Sequence, residues 1–522
     1  MSQAVGQPLR KRSTLSKCST TGQRSRSAAA RIGRPGASAF TCTIGSFSFP
    51  HSDYHLRGGE MSQVSTLPKP RRNVELALLL LALAVGIGAN MLVGVDQEKA
   101  FDSDFWFQSS LLAVAALVFH GVLRFRAKYA DPVILPIVVA LNGLGLAMIH
   151  RLDAPGEDTG NNQLRWTLIA MAVAIAVVFF LKDHRILRRF TFISLAASAL
   201  LLILPLVPGI SAGEILGARV WIRFGPMTFQ PGEVAKITLA IFFAGYLSSN
   251  RDLILLAGRK IGPLQFPRFK DMGPMITAWL VSIGVLIFQR DLGSSLLFFG
   301  LFIVMIYVAT SRISWVVIGL ALILGGGFVA AQVFSHVQQR VYGWLNAFSP
   351  DVYENGSRQV IEGLFGMANG GLVGTGLGQG RPDLVPFANS DMIIASLGEE
   401  LGLIGLFAVV LLYLLLVTRG FRAALGTRDA FGKLLACGLS FAVALQCFVV
   451  IGGVTRLIPL TGLTTPFLAA GGSSLLANWI IVGLLLMISH AARGPVDTTP
   501  LPPAGAAAAT GIDTPTEAVK QA

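Results

Sequence analysis

One carboxylate, Asp291, stands in the stretch Gln289-Arg290-Asp291-Leu292-Gly293-Ser294-Ser295, at the end of a long apolar run. An ionisable group at such a place is costly unless it faces a polar cavity or a partner, so it is a candidate functional residue by default. Two roles fit it. Asp is a favoured helix N-cap, and a helix can begin at Leu292. A carboxylate held at a membrane surface can also act as a general base. A cap position exposes the side chain, so the two roles are compatible. Arg290 beside it is expected to favour the ionised form.

Three further stretches carry polar chemistry. In Trp221 to Lys236, Pro231 suits the first turn of a helix and Glu233 suits its dipole. Glu233 and Lys236 are three apart, share a helix face and can pair, which reads as an ion pair fixing the helix entry or as a direct catalytic role. The aromatic and Arg residues before them suit a lipid interface. In Asn389 to Gly402, Asp391 lies near a helix start, while Glu399 and Glu400 lie two turns deeper. Unpaired carboxylates there are expensive, so they are expected to pair with Arg or Lys or to bind backbone amides, with catalysis as the other reading. In Thr455 to Pro466, followed by Gly471-Gly472-Ser473-Ser474-Leu475, an outer loop broken by Pro and Gly opens the last helix. Turn chemistry with a solvated Arg456 explains it. So does an anion site, where backbone amides and Arg456 meet a phosphate.

The elements that must position these residues are apolar. Of 522 residues, 53% are hydrophobic and 13% charged, and the mean hydropathy is +0.64. Apolar runs recur at 74–94, 108–124, 132–150, 163–182, 189–208, 233–248, 273–289, 293–310, 314–334, 392–418, 431–453 and 474–491. They predict an all-α polytopic membrane protein of about twelve transmembrane helices, each of roughly 20 residues. The net charge of +14 does not mark a nucleic-acid binder. Beyond the first sixty residues, the basic side chains sit mostly in short loops between apolar runs, where topology signals lie. Cys18, Cys42, Cys437 and Cys447 have no metal-ligand spacing.

The basic loops are 124–128, 182–189, 251–270 and 419–433, with Arg312 and Arg493 adding single charges. An even number of spans separates each from the next, so the positive-inside bias puts them all in the cytoplasm together with both termini. The loops 95–107, 151–162, 209–232, 335–391 and 454–473 are then outside, and so is Asp291. The longest, 335–391, holds Gly370, Gly371, Gly374, Gly376, Gly378, Gly380, Arg340, Arg358, Arg381 and Asp391. A long polar loop of this kind is functional more often than filler. Gly374 to Gly378 superficially resembles a phosphate loop, but the Lys is missing and the segment faces outward, so it reads as turn chemistry.

Residues 1–73 form a basic N-terminal segment, and 494–522 form a tail biased toward Pro, Ala and Thr. The first sixty have the composition of disorder, or of a transit peptide. They are also compatible with translation starting at Met61, which leads through Lys69-Pro70-Arg71-Arg72 into the first span.

Taken together, the polar stretches resemble the SEDS family, which includes FtsW, RodA and SpoVE. The matching pieces are Phe229 to Lys236, Gln289 to Gly293, Asp391 running into Gly398-Glu399-Glu400-Leu401-Gly402, and Pro459 to Ser474. They lie within residues 130–492, and spans 74–124 are additional. The family usually has Pro at the place of Arg290, often Ser at Gly232, His-Thr at Asn389-Ser390 and Tyr at Ala470. Thr455-Arg456-Leu457 and the two additional spans look most like the RodA-type members of actinobacteria. The resemblance implies a SEDS/GT-C-like fold with a large extracellular loop. It also implies a peptidoglycan glycosyltransferase that polymerises lipid II outside the cytoplasmic membrane, for elongation or division, with a class B penicillin-binding protein as partner and no nucleic acid.

In that reading Asp291 is the base. Arg340, Arg358 and Arg456, or a divalent cation (Mg or Mn) implied by the resemblance, stabilise the leaving pyrophosphate. Asp391, Ser473 and Ser474 bind substrate, and Glu233 and Lys236 form a structural pair. The rivals are a lipid II flippase using Glu233, Glu399 and Glu400, and a scaffold that only recruits the penicillin-binding protein. Topology is directly testable with single cysteines in a variant lacking the native four. A probe at Asp383 is expected to label from outside, and one at Gly258 only from inside. Labelling of Asp383 only after permeabilisation would place Asp291 in the cytoplasm.

Overall fold

The computed structural model describes residues 69–495, apart from 97–102, 154–157, 216, 226, 257, 262–263 and 268. The basic N-terminal segment up to residue 68, the start at Met61, the tail beyond Pro495, Cys18 and Cys42 lie outside the described residues. The chain runs α1 (Arg72–Asp96), α2 (Ser103–Arg126), α3 (Ile134–Arg151), α4 (Thr159–Phe180), a 3-10 segment (His184–Phe190) and α5 (Thr191–Ile203). Then come a hairpin of β1 (Ile222–Phe224) and β2 (Met227–Phe229), α6 (Pro231–Leu256), and a hairpin of β3 (Gly258–Ile261) and β4 (Leu264–Pro267). There follow α7 (Phe269–Gln289), α8 (Leu292–Thr310), α9 (Ser314–Val333), α10 (Ser335–Leu345), α11 (Pro350–Val352) and α12 (Arg358–Gly370). The chain closes with α13 (Ile393–Gly426), α14 (Ala430–Val454) and α15 (Gly472–Arg493).

Helices dominate because a helix satisfies its own backbone groups where no water is available. Ten helices among the described residues are long and apolar enough to cross a membrane. Two further helices, α6 and α7, occupy the other expected positions. The segments α3, α14 and α15 form the buried centre, while α9 is almost wholly exposed, as suits a lipid-facing helix.

The first two helices dock on this centre. A Cβ added at Gly143 of α3 would lie 2.9 Å from the Gly86 Cα of α1, and one at Gly86 would lie 3.0 Å from the Gly143 Cα, so the facing glycines let the two backbones approach closely. At one end of this junction, Glu75 binds Arg72 and accepts from His120 Nδ1 at 2.7 Å, and Arg72 also binds the Ala130 carbonyl. Asp131, fully buried, binds Arg493 and lies 3.8 Å from Arg419. Charges are tolerated in this apolar surround because they are paired.

Two expectations need correction. The run 392–418 was expected as one span, but α13 breaks at Gly402, where φ is 66° and ψ is −172°. The short helix 393–401 is therefore separate from the long helix that follows. The break is filled by backbone. Gly376 N donates to Glu400 O at 3.0 Å, and Leu403 N donates to Gly371 O at 2.9 Å. These bonds satisfy groups that a broken helix would leave bare. The long helix also continues to Gly426, so Arg419 to Gly426 is helical rather than loop. It turns Arg419 toward Asp131.

The segment 335–391 is likewise organised, by α10, α11, α12 and a 3-10 turn at Pro382–Leu384. Its glycine-rich part lies against the Gly402 break. A Cβ on Gly402 would stand 2.2 Å from Gly374 N, on top of a positive φ. Gly402→Ala is expected to cost about 1–3 kcal/mol through strain alone, and more through the clash. Thermal unfolding of the purified protein in detergent checks this, and an unchanged melting temperature would mean that the break does not need glycine.

Candidate functional site

Asp291 occupies the turn between α7 and α8. Its side chain accepts from Ser294 N at 2.9 Å and caps α8, while Ser295 Oγ donates to its carbonyl at 2.6 Å. Arg290, just before it, takes the left-handed φ of 58°. A proline ring, locked near −65°, cannot adopt this φ. Arg290 was expected to favour ionised Asp291, but its guanidinium turns to Glu214 at 3.1 Å. Burial pushes the Asp291 carboxyl above its usual range. The hydrogen bonds to Ser294 and the Arg340 charge oppose this, and the charge of Glu233 adds to it.

Glu233 reaches the site from the first turn of α6. Its Oε2 lies 2.6 Å from Lys236 Nζ, and both side chains are buried. Lys236 also donates to Gln446 Oε1 on α14 at 2.8 Å and to Asn478 Oδ1 on α15 at 3.4 Å. One ammonium thus joins three helices. All its donors find oxygen, which is the condition for keeping a charge in such a place.

The loop after α14 closes over these groups. Gln446 Nε2 donates to Thr464 O at 2.9 Å. A Cβ on Gly293 would meet Thr461 O at 3.1 Å, and one on Gly462 would meet Asp391 Oδ2 at 3.7 Å. Ala470 N donates to Asn389 O at 2.8 Å. The loop therefore touches both carboxylate segments.

Arg340 of α10 donates to Leu460 O at 3.1 Å. Its charge acts on both Asp291 and Asp391. Burial pushes Asp391 up to about 6 against that charge. Burial also lowers His336, helped by Arg290 and Arg340, so the neutral imidazole is favoured.

The structure thus brings together Asp291, Asp391, Arg340, Glu233 and Lys236, and engages the other expected residues elsewhere. Arg456 donates from Nε to Trp344 O at 3.0 Å and from Nη2 to Leu345 O at 3.1 Å, capping α10, and lies 4.9 Å over Phe348. It satisfies a helix C-terminus rather than standing in solvent. Arg358 pairs with Glu362 at 2.8 Å on α12. Ser474 Oγ turns inward, 3.2 Å from Asn478 Nδ2, and Ser473 is buried at the start of α15. Glu399 Oε1 accepts from Arg381 N at 3.0 Å and Asn369 Nδ2 at 3.2 Å. Glu400 accepts from Gly378 N at 3.0 Å and faces Arg151 at 3.6 Å. Both hold the loop 374–381.

Sequence reading missed Gln446, Asn478 and Arg151. The first two carried a readable signal, since an amide inside an apolar span must find a partner.

Fold and site define a polytopic helical membrane protein with a charged cluster at one end of its bundle. The FtsW/RodA/SpoVE family model, described as a cell cycle protein, matches residues 132–494, so the chain belongs to this family. Helices α1 and α2 precede the match. A peptidoglycan glycosyltransferase RodA of Mycobacterium bovis is 46% identical over 444 residues, covering 83% of this chain and 94% of its own. Its counterpart in Mycobacterium leprae is 45% identical over 450 residues, with the same coverage of 83% and 94%. Stage V sporulation protein E of Bacillus subtilis is 33% identical over 372 residues, covering 70% and 98%. A solved chain, described under structural coordination of polymerization and crosslinking by a peptidoglycan synthase complex, is similar with a TM-score of 0.56 and 26% identity, covering 70% and 98%.

Lys236→Met keeps the length of the side chain and leaves Glu233 buried without its partner. The expected loss is about 3–5 kcal/mol, read as a lower melting temperature. Glu233→Gln, which keeps an acceptor for Lys236, should cost less. Equal and negligible effects would show the pair to be dispensable.

Proposed function

We propose that the chain is a peptidoglycan glycosyltransferase that polymerises lipid II on the outer face of the cytoplasmic membrane. The observation that carries the reading is the position of Asp291. Its carboxylate is capped on one oxygen by Ser294 N and set in a buried surround with Arg340 and Asp391, in a chain of this family. The acceptor hydroxyl attacks the anomeric carbon of the lipid-linked sugar, and the bond from that carbon to the diphosphate oxygen breaks. Asp291 takes the hydroxyl proton. Its raised proton affinity makes it a better base than a solvated Asp. Arg340 faces the negative charge that grows on the diphosphate. Arg358 is engaged by Glu362 and Arg456 by the carbonyls ending α10, so this reading gives the charge to Arg340.

A divalent cation, Mg or Mn, belongs to the reading as charge neutralisation for the diphosphate. Asp391 is a hard oxygen donor that would hold it together with diphosphate oxygens. No group of three or more His, Cys, Asp or Glu is assembled among the described residues, so the substrate would supply most of its ligands. A class B penicillin-binding protein is the proposed partner. Identity of 46% to a RodA against 33% to a probable FtsW supports the elongation-type role. The flippase reading is weaker, because Glu399 and Glu400 are committed to the loop 374–381.

The test is purified protein with its partner, given lipid II in the presence of moenomycin. Glycan polymer is expected from the wild type. Asp291→Asn keeps the cap and removes the base, so it should lower the rate by about 100-fold or more at an unchanged melting temperature. Chelation by EDTA should stop polymerisation, and Mg or Mn should restore it. Full activity of the Asn variant would remove Asp291 as base, and transport without polymer would favour the flippase.

A further inference from the structure

Lys236 and Arg340 lie on different helices and never touch, yet one buried side chain connects them. Gln446 is fully buried in α14. Its Oε1 accepts from Lys236 Nζ at 2.8 Å, and its Nε2 donates to Thr464 O at 2.9 Å. The orientation of this amide is forced, since an ammonium can only donate and a carbonyl can only accept. Thr464 belongs to the loop whose Leu460 carbonyl accepts from Arg340 Nη1 at 3.1 Å. The same loop abuts Gly293, two residues after Asp291, and Asp391.

We infer that Gln446 is a positioning residue for glycosyl transfer. It anchors the loop 459–466 to the buried Lys236 ammonium and thereby fixes where Arg340 stands relative to Asp291. The inference rests on the glycosyltransferase reading given above. The two amide ends have separate tasks. The oxygen completes the shell of Lys236, and the nitrogen holds the loop. Other side chains pin the far part of this segment: Tyr413 Oη donates to Pro466 O, and Gln163 Nε2 donates to Ala469 O at 3.2 Å. Among the described residues, Gln446 supplies the side-chain tether to the buried core between Leu460 and Thr465. Lateral freedom of the loop would move the Leu460 carbonyl and loosen Arg340. The transition state, where diphosphate charge develops, depends on Arg340 more than bound substrate does.

Gln446→Glu separates the tasks. A carboxylate keeps an acceptor for Lys236 but cannot donate to Thr464 O. Gln446→Met, similar in length and without polar atoms, removes both bonds and serves where the acidic variant does not fold. Three quantities are read in the full-length protein with its partner: melting temperature, hydrogen exchange of the 457–466 amides, and kcat and KM for lipid II. In Gln446→Glu we expect a melting temperature near that of wild type and faster exchange confined to 457–466. We also expect kcat to fall by about tenfold or more, with KM little changed. Unchanged exchange and kcat would overturn the proposal. A rise in KM alone would overturn it, since the loop would then serve ground-state binding. A general loss of stability in both variants would overturn it as well, reducing Gln446 to packing. A wild type that makes no polymer would sink the glycosyltransferase reading instead, and the exchange data would still decide whether Gln446 tethers the loop.

Discussion

A single buried ammonium organises the site. Lys236 has three protons to place where neither water nor lipid can take them, and it places them on Glu233, Gln446 and Asn478. Those oxygens come from its own helix, from α14 and from α15. Solvating the charge therefore fixes how α6, α14 and α15 meet. The energetic asymmetry of buried charge makes this a constraint rather than a gain: a complete shell is roughly neutral, and an incomplete one is costly. Burying a lysine thus sets geometry more than it adds stability.

The same logic recurs with backbone groups. The break at Gly402 would leave bare amides and carbonyls, and the glycine-rich loop supplies their partners. Glu399 and Glu400 then satisfy amides of that loop, and Arg151 faces Glu400. What looked like carboxylates deep in a membrane helix is a set of loop holders. They carry the loop 374–381 to the place where α10 presents Arg340 and where Asp391 begins the short helix 393–401.

Between these two satisfied networks lie the groups that are left perturbed. Asp291 and Asp391 have carboxyls pushed up by burial, and Arg340 opposes both shifts. A catalytic base and a charge stabiliser need such an arrangement, because a fully compensated carboxylate has little affinity for a proton. Rigidity comes from the satisfied groups, and the proposed reactivity rests on the perturbed ones.

Much of this was written in the chain. The spans follow from apolar run length, because a membrane sets a minimum helix length and nothing in the run has to know its neighbours. Asp291 and the Glu233–Lys236 spacing were readable because a charge in an apolar context is rare and because residues three apart share a helix face. Arg340, Arg358 and Arg456 could not be told apart by sequence. Each is an arginine in a segment between apolar runs, and only the folded backbone decides that Arg456 meets the carbonyls ending α10, that Arg358 meets Glu362, and that Arg340 remains to face Asp291 and Asp391. Gln446 and Lys236 are far apart in the chain, as are Glu400 and Gly378, so their pairing depends on how helices pack. Local sequence determined which residues could not remain alone in a membrane, and tertiary structure decided which partner each one found.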